Sequence, residues 1–587
     1  MSHRYIKTFF LLLLIPMVFT QCNNRMKTTS KVESKGLMNH DPNDTFKYTV
    51  KPPQGNLTKL SDNQLKTYLS QFLDTLNTAH YIKDNINRVE IKQELDSFYT
   101  LNESGLFWLT YKKPEDKVKI LEGELLNASA QGLNTADYDI SKLINYEQEV
   151  YSAKNINAFE LIQLDVRLSI AYLSYAYHLQ NGRIKPIQID KLWNCEYKPE
   201  SVAHTLATNN IKNAFDQVIP KNENYQDLVK ALAFYRTINV NGGWRSLPDD
   251  INIRVGDSSN YVTALKQRLI LTHDLKDRKL KNASDSIYFD TELESAVKRF
   301  QARNGLTSDG IVGKGTAAVM NISLDERIAQ IKLNLERIRW MPGDMGKKFI
   351  YVNIPEYQLY VYENNRVPLK MRVITGETDH ATPVMIDRLH YLVFSPTWTI
   401  PQKIIKNEML GRMKSDPTYL TRNGYNLYEG WGSSDPIDPA TVNWETVNVN
   451  NLRVVQKPGR RNALGLVKFP LTNGRSIYLH DTPSDYLFAR DKRAFSHGCV
   501  RLEQPGKLAE YLLKDQDWDT FKIKEYMEKD EPVNVKLTEE VPVFLVYRTS
   551  WVDANGLINF RKDIYDVDKI QLVKLKSMEE QQMATLL

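Results

Sequence analysis

FIYVNIPEYQLYVYENNRVPLKMRVITG, residues 349–376, is where the hydrophobic period of this chain changes. Apolar and polar residues alternate with period two, the pattern of strands with one covered face. The alternation breaks at Asn364-Asn365, a turn pair, so the stretch predicts a β-hairpin. Strand patterns continue in RLHYLVFSPTW (388–398) and RSIYLHD (475–481), with a Gly-, Asn- and Trp-containing insertion at 402–455 between them. Beyond residue 530, VPVFLVYRTSWVDANGLINF (541–560) reads as another hairpin, turning near Asn555-Gly556.

Upstream the period is helical. DERIAQIKLNLERIRWM (325–341) predicts a connecting helix with Ile328, Ile331, Leu335 and Ile338 on one face. ELIQLDVRLSIAYLSYAYHLQNGRI (160–184) places Leu164, Leu168, Ala171 and Tyr175 at helical spacing; DLVKALAFYRTI (227–238) does the same with Leu228, Leu232 and Tyr235. Such aromatic stripes read as core. Residues 251–322 form a smaller unit. Its first helix is YVTALKQRL, with Val262, Leu265 and Leu269. Its second is DTELESAVKRFQARNGL, capped by Asp290, with Leu293, Ala296, Val297 and Phe300 on one face and Gly305 as the stop. A third starts at Thr316. The GKGT at 313–316 is a poor phosphate loop, because Ser308 stands where the first glycine is required.

The 587 residues are 42% hydrophobic and 25% charged, an ordinary globular composition that excludes wholesale disorder and collagen-like repeats. The net charge of +6, from 77 basic and 71 acidic residues, is too small to argue for nucleic acid. Three cysteines exclude a disulfide-dense scaffold. Cys195 lacks a sequence-local partner and reads as a buried thiol.

Chemistry concentrates in IYLHDTPSDYLFARDKRAFSHGCVRLEQP, residues 477–505. Cys499 is a nucleophile only as thiolate, with an ordinary pKa of about 8.5. His480 or His497 could take its proton and return it to a leaving amine. Arg493 and Arg501 would favour thiolate and hold carboxylates. Gly498 lets the backbone turn sharply, so that successive N–H groups can face a developing oxyanion. The competing reading, a zinc site of His480, Asp481, His497 and Cys499, lacks an HExxH or paired CxxC pattern.

Two resemblances follow. AVKRFQARNGLTSDGIVGKGT (296–316) is similar to the three-helix peptidoglycan-binding domain of cell-wall enzymes. His480, fifteen residues, then Ser496-His497-Gly498-Cys499-Val500-Arg501 resembles the catalytic motif of the L,D-transpeptidases, the YkuD-type domain. The commonest form ends in Asn; Arg501 is similar to the large Gram-negative members. NGGW (241–244), SPTWTIP (395–401) and FRKDIYDVD (560–568) also look like those enzymes. The resemblance implies a multidomain α+β chain: a helical scaffold domain (56–250), a peptidoglycan-binding domain (251–322), a connecting helix (323–347) and a mixed, β-rich catalytic domain (348–530). It makes 402–455 a capping insertion and 531–587 a C-terminal hairpin and tail.

The resemblance also implies roles. Cys499 would attack a tetrapeptide stem, with His480 as base and then acid, oriented by the Asp481 carbonyl. N–H groups of His497, Gly498 and Cys499 would form the oxyanion hole. Tyr478, Arg501, Arg493 and Trp398 would bind substrate or line the pocket, with a structural salt bridge as the other reading of the two arginines; Ser496 and His497 would shape the turn or line the pocket; Trp431 and Trp444 are read as lid or core. No metal or organic cofactor is implied. Stems would serve as donor and acceptor, and carbapenems would acylate Cys499. Three activities fit the residues: a transpeptidase; a hydrolase, or an enzyme attaching or detaching protein on peptidoglycan; and a non-catalytic wall-binding lipoprotein.

The N-terminus, MSHRYIKTFFLLLLIPMVFTQC, has basic Arg4 and Lys7 before an apolar run of 11 residues from Phe9 to Phe19. That is too short to span a bilayer, which takes about 20, and matches a secretory signal. Ending at Cys22 it resembles a bacterial lipoprotein signal, although Gln21 stands where a small residue is usual. The resemblance predicts export to the periplasm and lipidation of Cys22. Residues 23–55, polar and aperiodic, would be a tether with a relaxed span of roughly 30 Å.

Overall fold

The computed structural model describes residues 60–103, 105–191, 193, 199–276 and 286–584. The expected signal, lipidated Cys22, tether and Cys195 lie outside these. Among the described residues no helix is long and apolar enough to cross a membrane.

Helices fill the region from Asp62 to Val240. The longest, Ala158–Asn181, is buried on nearly every face rather than along one stripe. Burial all round forces its polar groups to find partners. The Asp165 carboxylate accepts hydrogen bonds from Tyr99 Oη (2.7 Å) and the Trp108 N–H (2.8 Å).

The small unit has the expected helices, Tyr261–Leu271, Thr291–Arg303 and Lys314–Met320, the third starting two residues early. Asp290 caps the second through the Leu293 N–H at 2.7 Å, and Gly305 ends it at φ +69°. Gln301 explains the FQ…DG pattern: its amide donates to Asp309 and Ile311, and its oxygen accepts from the Gly310 N–H at 2.8 Å. The predicted connecting helix, Leu324–Arg339, is a spine rather than a surface link. Ile331, Leu335 and Ile338 are buried as expected, and so are Arg327, Asn334, Glu336, Arg337 and Arg339. Glu336 accepts from the Ile184 N–H (3.0 Å) and Arg339 (2.9 Å), while Asn334 donates to Thr549 Oγ1 (2.8 Å).

The catalytic-type region is one mixed sheet. Its strands are β1 (Lys348–Asn353), β2 (Gln358–Glu363), β3 (Arg366–Gly376), β4 (Met385–Phe394), β8 (Val467–Pro470), β9 (Tyr478–His480), β10 (Ala494–Ser496), β11 (Val500–Leu502) and β12 (Val533–Val546). The order is β10-β3-β11-β9-β8-β4-β12-β1-β2, and β2 pairs back to β3, so the sheet closes on itself. Asn364 and Asn365 turn the β2–β3 hairpin at φ +50° and +61°, the left-handed pair a two-residue hairpin requires. Leu359, Val361, Val373, Leu392, Leu479 and Val500 point inward to one core.

The boundary expected at residue 530 is corrected. β12 lies between β1 and β4, parallel to the first and antiparallel to the second, in the middle of the sheet. VPVFLV is therefore core strand, and only β13 (Ser550–Val552) and β14 (Ile558–Phe560) form the predicted hairpin. The insertion is a subdomain with its own three-stranded sheet, β5 (Trp398–Thr399), β7 (Leu452–Gln456) and β6 (Tyr425–Glu429), around Ile405, Met413, Leu427, Trp444 and Val454.

Arg303 ties the small unit to this hairpin. Its buried guanidinium pairs with Asp274 and donates to the Ile558 carbonyl at 2.9 Å. Removing one partner of a buried pair leaves an uncompensated charge, typically costing about 3–5 kcal/mol. Arg303→Met is expected to lower hydrogen-exchange protection across residues 261–320 by about that much, with exchange in 158–181 unchanged. Equal loss in both segments would show that the pair does not act locally.

Candidate active site

Register builds the site. In the parallel β9–β11 pair Leu479 lies opposite Val500 and His480 opposite Arg501; in the antiparallel β8–β9 pair Lys468 lies opposite His480. Side chains alternate along a strand, so Tyr478, His480, Arg501 and Lys468 share one face, with Cys499 at its edge. Leu479, Val500, Val467 and Phe469 take the other face, into the core.

The turn before β11 is fixed from three sides. Gly498 has φ +108°, a conformation that disfavours any side chain. Thr382 Oγ1 donates to the Gly498 carbonyl (2.8 Å) and accepts from the Gly376 N–H (2.8 Å). Ser496 is buried; its hydroxyl donates to the Cys499 carbonyl (2.5 Å) and accepts from the Gly498 N–H (3.1 Å). Ser496, read from the sequence as shaping the turn or lining the pocket, thus shapes the turn. The Gly498 N–H is already engaged by that hydroxyl.

The half-buried Cys499 thiol donates to the Ser476 carbonyl at 3.6 Å. His480 Nδ1 lies 2.5 Å from the Asp481 carbonyl oxygen, the orienting contact expected from the sequence. The Asp481 carboxylate accepts from the Leu466 and Thr482 N–H groups, both at 2.7 Å. It also packs against Gly465, where a Cβ would come within 2.3 Å of it. Tyr478 and His480 meet edge-on at 5.6 Å.

Burial, then Arg501, hold His480 down at about 3, while burial pushes the Cys499 thiol up. The resting pair is therefore neutral thiol and neutral imidazole. Tyr478, Lys468 and Arg501 act against the rise at Cys499. Arg501 is mostly buried, and its Nε has no hydrogen-bond partner among the described residues, which leaves a cation able to take a carboxylate.

Arg493 has the structural role of its two readings: its guanidinium donates to the carbonyls of Val373 (3.2 Å), Arg490 (2.7 Å) and Tyr357 (3.1 Å), bracing the backbone. His497 is exposed, with Nε2 against Glu408 of the insertion at 2.9 Å. Trp444 is core and Trp431 lies at the surface.

Lys468 is the residue that sequence reading missed. Its Nζ sits 4.0 Å from the Tyr478 ring centroid, and its charge acts on both Cys499 and His480. Burial lowers its own pKa, and the neighbouring thiolate would raise it. Lys468→Gln is expected to slow iodoacetamide alkylation of Cys499 several-fold at pH 8, and to move the alkylation midpoint upward by on the order of half a pH unit. An unchanged midpoint would remove Lys468 from the thiolate's surroundings.

Residues 347–535 match the family described as the L,D-transpeptidase catalytic domain, residues 93–232 a scaffold domain, and residues 258–320 a "Putative peptidoglycan binding domain". A Haemophilus influenzae protein named "Putative L,D-transpeptidase" is 35% identical over 248 residues, 42% of this chain and 50% of that protein. The match thus spans half the length of that relative. Among solved structures, an L,D-transpeptidase from Mycobacterium smegmatis is 13% identical, over 34% of this chain and 58% of its own, with a TM-score of 0.18. Another from Stackebrandtia nassauensis is 16% identical, over 51% and 97%, with a TM-score of 0.20. Likenesses of that size carry no argument about the site. In chain order, the family matches are thus to a scaffold domain, a peptidoglycan-binding domain and, around the Cys499 face, an L,D-transpeptidase catalytic domain.

Proposed function

We propose that the protein is an L,D-transpeptidase that forms 3→3 peptidoglycan cross-links. The observation that carries this is the shared face of Cys499, His480, Tyr478, Arg501 and Lys468 within a catalytic domain of that family.

His480 Nε2 takes the thiol proton as Cys499 Sγ attacks the carbonyl between the third residue and D-Ala of a tetrapeptide stem. Because both groups start neutral, proton transfer accompanies attack. The thiol first turns from the Ser476 carbonyl toward His480, a rotation about one bond. The oxyanion takes the N–H groups of Cys499 and His497. Collapse expels D-Ala, protonated by His480, and leaves a thioester. An amine on the third residue of a neighbouring stem then attacks, His480 accepts its proton, and the thiol is regenerated. Arg501 holds a substrate carboxylate, and the capping insertion limits water. Where water attacks instead, the product is a tripeptide, so carboxypeptidase activity is the second outcome. Acylation of Cys499 by carbapenems follows from the same nucleophile. A periplasmic setting, with a lipid on Cys22 holding the chain at a membrane, suits this substrate.

The chain without residues 1–22, given disaccharide-tetrapeptide, is expected to yield a dimer lighter by one D-Ala in mass spectra. Cys499→Ala should yield none. Tripeptide alone would replace the transpeptidase reading by the hydrolase one, and no product from folded protein would overturn both.

The pH dependence is also set. With His480 near 3 the base stays unprotonated well below the ordinary histidine value. Single-turnover acylation by a carbapenem should vary by less than about twofold between about pH 5 and 8. A rise centred near 6.5 would mean that His480 titrates as an ordinary imidazole.

A further inference from the structure

We propose that Glu377, His380 and His497 form a binding site for a divalent transition ion of the zinc class, oriented by Glu408 of the capping insertion. The site lies beside the catalytic face, two residues from Cys499, and its test does not depend on the proposed reaction.

The ligand atoms of these three residues all lie within 4.8 Å of one another. Around a tetrahedral ion with bonds of about 2.1 Å, ligands are about 3.4 Å apart. His380 Nδ1 and Glu377 Oε1 already stand 3.0 Å apart, so an ion can replace the proton between them with little movement. The His380 and His497 rings lie 4.9 Å apart at 42°. All three side chains are exposed, and rotation can close the remaining gap of at most about 1.4 Å.

The backbones are already in place. The Glu377 N–H donates to the Ser496 carbonyl and the His380 N–H to the Glu377 carbonyl, at 2.9 and 3.0 Å. Thr382 joins the same two turns through Gly376 and Gly498. The entropy of bringing the ligands together is thus largely met by the fold.

Glu408 supplies a second, independent observation. Metal-bound histidines usually give their other N–H to a carboxylate, which fixes the tautomer. His497 Nε2 has Glu408 Oε1 at 2.9 Å, which leaves Nδ1 for the ion. Two imidazoles and a carboxylate suit zinc better than calcium or magnesium, which prefer all-oxygen shells. A bound ion would fasten the nucleophile's turn to β3 and, through Glu408, to the insertion.

The test uses the full, untagged chain in mild detergent with Cys499→Ala, so that the catalytic thiol cannot bind metal. Zinc is titrated against a chromophoric chelator, and cobalt(II) is followed by absorption. One zinc per chain is expected, with His380→Ala and Glu377→Gln each weakening binding more than Glu408→Gln. The orienting substitution should cost about tenfold. Cobalt(II) should give the intense visible bands of a four-coordinate ion without thiolate charge transfer. Failure to take zinc from the chelator, or equal affinity in His380→Ala, would overturn the proposal, as would a weak, six-coordinate cobalt spectrum. Melting curves without metal check that each variant is folded. If His380→Ala is not, Glu377→Gln carries the same comparison.

Discussion

The parallel pairing of two three-residue strands, with Leu479 beside Val500, decides what this protein can do. Side chains alternate along a strand, so a one-residue slip would send Tyr478 and His480 into the core and Leu479 out of it. Strands this short do not hold register by themselves. It is held by polar contacts at both ends. At one end Asp481 grips Leu466 and the space above Gly465; at the other Ser496 and Thr382 grip the Gly498 turn. These side chains need not touch substrate for the chemistry to depend on them.

The electrostatics follow from the same face. Lys468 and Arg501 stand beside a half-buried thiol and a buried imidazole, and Arg501 keeps an unbonded buried nitrogen. Two cations facing one hollow lower the cost of thiolate and of an oxyanion, and raise the cost of imidazolium. The face is therefore poised to receive negative charge.

Much of this was legible in the sequence because it rests on local rules. Asn364-Asn365 turned the hairpin as two left-handed residues must; Asp290 and Gly305 bounded a helix as cap and stop. The His480–Asp481 contact came through family resemblance and appears in the geometry. What escaped was non-local. Nothing in VPVFLV says that it pairs with β1 and β4 rather than with its own neighbour. Lys468 looks like an ordinary solvent-facing strand lysine until β8 is placed against β9. Arg493 sits amid catalytic residues in sequence, yet three backbone carbonyls claim its guanidinium. The one signal for Lys468 was its place in a short apolar run, VKFP, beside strand-like neighbours.

The position of β12 orders events in time. β1 begins at Lys348, but its parallel partner starts at Val533 and runs to Val546. A chain emerging from N to C terminus can finish its helical half while the sheet still has a gap through its middle. The contacts that close it have long sequence separation, and such contacts form slowly. Until residue 546 arrives, β1 and β4 present two unpaired edges, the kind of surface that invites aggregation. β11, next to Cys499, is therefore made before the strand that closes its sheet.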